Sequence, residues 1–201
     1  WDFAMANTPG WHTTIFPPYF VAGAIFSGLA MVITLCIPLR LIFKLEDYIT
    51  MENFEGMSKM IILTSCIVFY AYLIEFFIAW YSGNKYEYDQ FLYRANGDYA
   101  FFYWTMMFCN GIVPHALWFK KIRNNLVILF IISLLINVGM WFERFNIIVI
   151  SLSKEFEPGS WGLYKPSWVE LGITVGSFAW FFMFFLIFVR TLPALSIAEI
   201  K

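Results

Sequence analysis

Residues 126–150 read LVILFIISLLINVGMWFERFNIIVI, an apolar run interrupted near its far end by Glu143 and Arg144. A helix rises about 1.5 Å per residue, so roughly 20 apolar residues cover a ~30 Å hydrocarbon core, and this run is long enough to cross one. A charged side chain inside such a helix costs about 2.5–3.5 kcal/mol on insertion scales. It persists where it faces protein interior, a partner charge or water. Glu143 and Arg144 therefore read either as a functional site or as a structural pair that locks helices together. Seven residues separate Asn137 from Arg144, which puts both on one face. Glu143 points about 100° away, with Gly139 one turn below it and Asn146 almost one turn above. The two charges need not bond each other, and each is placed to address a different neighbour.

The rest of the chain has the composition of a membrane protein. It is 61% hydrophobic and 22% aromatic with 13% charged residues, against about 25% charged in soluble domains, and its mean hydropathy is +0.69. A net charge of −1 argues against nucleic-acid partners and against a polybasic surface-binding protein. Cys36, Cys66 and Cys109 all sit in apolar runs without CxxC spacing, as buried small hydrophobes do and metal or disulfide sulfurs do not. The chain opens at Trp1 without a signal-peptide pattern, which reads as part of a longer or processed protein.

Five apolar stretches alternate with polar loops: Pro18–Phe43, Met60–Tyr81, Tyr99–Phe119, Leu126–Ile150 and Trp168–Val189. A spanning segment must satisfy its own backbone hydrogen bonds, and these runs are too long for barrel strands, so five transmembrane helices are expected. The predicted fold class is all-α and polytopic, a four-helix bundle plus one closing helix. Residues 1–17 form an outer-face segment, 18–189 the membrane domain and 190–201 a cytoplasmic tail. Arg40, Lys44, Lys59, Lys120, Lys121, Arg123, Arg190 and Lys201 fall on one side, and Lys85, Arg94, Lys154 and Lys165 on the other. The positive-inside rule puts the first set in the cytoplasm, with Trp1 outside and Lys201 inside. Tyr81, Tyr86, Tyr88, Tyr93, Trp161, Tyr164 and Trp168 crowd the outer side as an aromatic belt would.

Two further polar features stand out. Glu75 is flanked by Ala71 and Ala79 at i−4 and i+4, a small–acid–small face that lets a neighbouring helix approach closely. It reads as a packing notch with an incidental acid or as a protonatable relay group. Pro114 precedes His115 and frees the carbonyl of Asn110 one turn earlier, so Asn110, Gly111, Pro114 and His115 form a broken, polar stretch. Such backbone at membrane depth lines a cavity or is covered by protein. A plain proline kink with a satisfied histidine is the alternative.

A transmembrane haem held by two imidazoles needs them at similar depth. The chain's two histidines, His12 and His115, fall on opposite faces in this topology, which disfavours a haem within the chain. No GxGxxG, P-loop, GxSxG or HExxH pattern occurs, so soluble-enzyme chemistries have no support.

The opening WDFAMANTPGWHTTIFPPYFVAGAIFSG and the later GMWFERFNIIVISL resemble the polysulfide-reductase membrane-subunit (NrfD-like) family. Within it the chain looks like the C-terminal half of the larger quinol-oxidising membrane subunit of alternative complex III. Such members carry about eight to ten helices in two four-helix bundles, and the spans here correspond to the second bundle and a closing helix. The resemblance implies a subunit of the bacterial inner membrane that oxidises quinol near the outer face. Electrons then pass to a docked iron–sulfur subunit and onward to c-type cytochrome subunits, beside a homologous membrane subunit. It implies no cofactor bound by this chain. Asp2 in WDFAMA and His12 in PGWHTTIF match the outer-face motif and are the implied quinol-binding residues. The family's proton route maps onto Glu75, His115, Glu143 and Arg144.

The residues allow this chemistry independently. Quinol oxidation releases two electrons and two protons, so it needs acid–base groups such as Asp2 and His12 and an apolar wall such as Trp11, Phe16 and Tyr19. An ion or solute transporter also uses broken helices and buried charges, and a structural membrane scaffold is the third reading.

Overall fold

The computed structural model describes residues 1–11, 13–154 and 156–192 and is all-α over them. After a short α1 (Asp2–Met5) come α2 (Phe16–Ile42) and α3 (Met51–Tyr81), with Pro17 and Pro18 in the first turn of α2. There their missing N–H groups cost nothing. The amphipathic α4 (Lys85–Asn96) follows, its first turn capped by Asn84, whose side chain accepts the Tyr86 N–H at 3.1 Å. Next are α5 (Ala100–Met107), a π-helical turn over Phe108–Ile112, a 3-10 turn over Val113–Trp118 and the short α6 (Lys120–Arg123). The long α7 (Leu126–Phe145) continues through a second π turn, Asn146–Ile150, into α8 (Ser151–Ser153).

Among the described residues, four helical stretches are long and apolar enough to cross a membrane: Phe16–Ile42, Met51–Tyr81, Leu126–Ser153 and Trp168–Thr191. This corrects the expected five. The third predicted span, 99–119, is not one helix but α5 followed by the π turn and the 3-10 turn. The cause is local. Pro114 has no N–H to offer the Asn110 carbonyl, so the ladder widens before the proline and tightens after it. The freed Asn110 carbonyl accepts the Ser65 hydroxyl of α3 at 3.1 Å, as a backbone acceptor removed from water requires.

Two compact units result, Trp1–Gly162 and Leu163–Lys201. In the first, α2 lies between α3 and α7, and the composite segment 100–118 packs against the other sides of both, closing a four-membered bundle. It differs from a water-soluble bundle in its exterior, and its apolar core also holds polar groups. Ser58, Thr64, Ser65, Asn110, Ser133 and Glu143 are buried, while Leu63, Ile67, Phe77, Val127 and Trp141 lie on the outside. An apolar exterior of that extent suits lipid and not water. In the second unit, α9 (Trp168–Thr191) begins with a reciprocal cap: the Ser167 hydroxyl accepts the Glu170 N–H at 3.3 Å and the Glu170 carboxylate accepts the Ser167 N–H at 2.5 Å.

Acid–arginine pairs mark both ends of the first unit. At one end Glu55 of α3 meets Arg123 at 3.4 Å and Lys59 at 3.1 Å, while Arg123 also donates to the carbonyls of Leu117 and Trp118. At the other, Glu75 of α3 meets Arg94 of α4 at 3.7 Å. The two glutamates are separated by about 30 Å of helical rise, the thickness of a hydrocarbon core.

Gly139 is where α7 approaches the first π turn most closely. A Cβ there would lie 2.6 Å from the Cys109 Cβ and collide with the Asn110 Oδ1. Gly111 is similarly constrained, since its Cβ would lie 2.7 Å from the Phe69 ring. We expect Gly139→Ala to destabilise the subunit by about 1–3 kcal/mol through overpacking, read as a lower midpoint of thermal unfolding in detergent. An unchanged midpoint would show that the two segments can separate freely.

Candidate functional site

Glu143 is 1% exposed and sits in the last turn of α7. The Tyr72 hydroxyl of α3 donates to its Oε2, and the Arg144 guanidinium lies 3.5 Å from its Oε1. The same Tyr72 hydroxyl accepts the Asn110 amide at 2.9 Å, so a hydrogen-bonded chain runs from the first π turn through α3 to the acid on α7. Tyr19 of α2 packs edge-on against Tyr72 with ring centroids 5.6 Å apart. Glu143 and Arg144 contact each other, and each also engages a separate neighbour. The Arg144 guanidinium stacks over the Phe20 ring of α2 at 4.2 Å.

Asn137 shares that face with Arg144, as the spacing predicts, and donates to Thr34 of α2 at 3.1 Å. Thr34 in turn lies 2.9 Å from the Ser133 hydroxyl. A polar strip thus descends the α2–α7 interface below the Glu143 layer.

Glu75 occupies the predicted small–acid–small face, with Ala71 and Ala79 both buried. Its partner was not expected. Arg94, read from the sequence as an outer-loop charge, is 3% exposed on the inward face of α4. It contacts Glu75, donates to the Ser151 hydroxyl at 2.8 Å and to the Gly10 carbonyl at 3.4 Å, and stacks on Phe91 at 4.9 Å. Two carboxyl groups and two guanidiniums therefore share one layer, in which Arg94 and Glu143 are buried, Glu75 nearly so and Arg144 partly exposed.

The second π turn lies directly above. A π turn leaves carbonyls without helical donors, and two are taken up from outside: Ile147 O by the Trp11 indole at 2.6 Å and Ile150 O by the Gln90 amide at 3.1 Å. The first draws the N-terminal segment over the layer. Phe3 stacks with Phe20 at 5.3 Å and meets Trp11 at 4.7 Å, and Phe16 packs on Tyr19 at 5.9 Å. The aromatic residues proposed as a wall do gather.

The other predicted residues are placed differently. Asp2 is exposed in the first turn of α1 and has no part in the buried layer. His12 lies outside the described residues. His115 is half-buried on the 3-10 turn, where its Nδ1 accepts the Trp118 indole at 3.1 Å and its ring meets Phe69 edge-on at 6.4 Å. Among the described residues no group of three or more His, Cys, Asp or Glu side chains could hold a metal ion, and the three cysteines are free. Sequence reasoning missed Tyr72, Gln90 and Arg94. For Arg94 a signal existed: Phe91 and Arg94 are three apart on α4, so a helix that buries one buries the other.

Residues 3–153, about three quarters of the chain, match the family model described as polysulphide reductase, NrfD. The chain belongs to the NrfD family. None of the curated proteins compared with it matches. The NrfD match ends within the first compact unit and takes in the whole ionisable layer. The protein is accordingly a multi-pass membrane protein of a family of redox-complex membrane subunits.

Arg94→Ala should leave the Glu75 carboxylate buried and unpaired, at a cost of about 3–5 kcal/mol. Adding Glu75→Ala should recover part of that loss, because the orphaned charge is gone. Unfolding midpoints of the two single variants and the double variant test this. Strict additivity would mean that the 3.7 Å contact carries no coupling.

Proposed function

We propose that this chain is the quinol-oxidising membrane subunit of a respiratory complex of the alternative complex III type. The observation that carries the reading is the ionisable layer of Glu75, Arg94, Glu143 and Arg144, with Arg94 and Glu143 buried, beneath an aromatic N-terminal cover inside a bundle of the NrfD family. Ionisable groups so far from water are expensive and are kept where protons or charged species move. Six basic residues of the first unit (Arg40, Lys44, Lys59, Lys120, Lys121 and Arg123) fall at the end where α2 turns into α3 and the composite segment turns into α7. That supports a cytoplasmic position for this end and an outer position for the ionisable layer.

In this reading a quinol is oxidised near the outer face, with Asp2 and His12 as its acid–base contacts and Trp11, Phe16 and Tyr19 as part of its apolar wall. The two electrons go to an iron–sulfur partner and then to c-type haems in further subunits. Glu75 and Glu143 exchange the protons, Arg144 fixes the charge beside Glu143, and His115 serves the inner half of the route. The Tyr72 hydroxyl holds the Glu143 carboxylate in place.

Glu143→Gln and Glu75→Gln keep shape and remove the titratable proton. Each should lower quinol-driven turnover of the purified complex about tenfold or more, within the range that positioned acid–base groups supply, while the subunits still co-purify. Full turnover with unchanged proton release in both would make the layer structural. Asp2→Asn and His12→Ala test the quinol contacts separately. Both should raise KM for a soluble quinol analogue or lower kcat without loss of assembly, and normal kinetics in both would remove them from the pocket.

A further inference from the structure

Glu75 and Glu143 do not bond each other among the described residues, and a small cavity is lined by both. It measures about 20 Å³ and is lined by Glu75, Glu143, Asn146 and the hydroxyl-bearing Tyr19, Tyr72 and Tyr103, with apolar neighbours beside them. That volume holds one water and is too small for a quinone ring. Three buried oxygens in its lining have no hydrogen-bond donor: Glu75 Oε1, Glu143 Oε1 and Asn146 Oδ1. The first two make long contacts to Arg94 at 3.7 Å and Arg144 at 3.5 Å. Asn146 is 3% exposed, and its amide nitrogen is directed to the Met106 sulfur at 3.4 Å, which leaves its oxygen free.

We infer that the cavity holds a single ordered water that bridges Glu75, Glu143 and Asn146. The proposal rests on the relay reading only for its functional consequence; the site itself follows from the volume and the three orphaned acceptors. A buried water typically makes about three hydrogen bonds to groups that otherwise lack partners. One arrangement of protons satisfies all of them. A water donates twice, so it cannot serve three acceptors at once. With a proton on one carboxyl, that carboxyl donates to the water, and the water donates to the other carboxylate and to Asn146 Oδ1. All three oxygens are then satisfied, and the two acids hold one proton between them. Transfer needs no other reactant. The protonated carboxyl gives its proton to the water oxygen while the water passes one of its own to the opposite carboxylate, which regenerates the water and exchanges the two acids' states. With one proton held by the two acids, the arginines beside them leave a net positive charge, which disfavours a metal cation in place of the water.

The test is an electron cryo-microscopy map of the intact complex at a resolution that shows ordered water, for the wild type and for Asn146→Leu. The expected result is one density peak within hydrogen-bond distance of all three oxygens, lost in Asn146→Leu. An empty cavity in the wild type overturns the proposal, as does a peak that persists unmoved in the variant. Should Asn146→Leu fail to assemble, Asn146→Ser is expected to keep a displaced peak, and the wild-type map decides occupancy by itself. An empty cavity together with impaired turnover in Glu75→Gln removes the water and leaves the relay. An occupied cavity with full turnover in Glu75→Gln confirms the water and removes the relay.

Discussion

The Glu143 carboxylate is the group around which the bundle is arranged. No acid can be left bare in the interior of a membrane protein, and each of the packed elements contributes to covering this one. Tyr72 from α3 donates to it, Arg144 from α7 lies beside it, and Asn110 from the first π turn holds the tyrosine. Removing any one member exposes the others to the cost of an unsatisfied buried polar group, about 1–3 kcal/mol each and more for a charge. The positions of α2, α3, α7 and the composite segment are therefore coupled through polar contacts in a bundle whose outer surface is greasy and non-directional.

The two π turns belong to the same arrangement. Each widens a helix beside the layer, and each delivers an asparagine, Asn110 or Asn146, into the interior. The widening releases carbonyls, which a lipid environment would penalise, and Ser65, Trp11 and Gln90 answer them from neighbouring segments. The irregular backbone ties the N-terminal segment and α4 to the bundle and so places the aromatic cover over the ionisable layer.

Much of this was legible in the sequence. Long apolar runs located the helices because length and hydropathy decide spanning. Residue spacing put Ala71, Glu75 and Ala79 on a close-packed face and turned Asn137 and Arg144 toward one neighbour, α2. Pro114 announced the break and the freed Asn110 carbonyl. What stayed hidden has physical causes. Tyr72 lies in a run of aromatic residues, where nothing distinguishes a hydroxyl that reaches an acid from one that faces lipid. Arg94 was counted with the loop charges because topology rules weigh a cation by its sequence segment, whereas burial depends on how α4 docks. The second π turn, with no proline behind it, has no residue signature of its own. The third span could be foreseen as disturbed, but its division into three helical types depends on what Ser65 offers across the interface.

A π turn is, in effect, one surplus residue absorbed without breaking the helix. Each residue advances an α-helix by about 100°, so everything after Asn146–Ile150 is rotated by that angle relative to an uninterrupted α7. Ser151, the first residue beyond, is thereby turned to receive Arg94. Deleting any one residue of the turn would restore a regular helix and swing Ser151 away, although every polar side chain named above could remain. The phase of the helix is thus information carried by chain length, and two sequences with the same charged residues but a different count between Glu143 and Ser151 would not build the same interior.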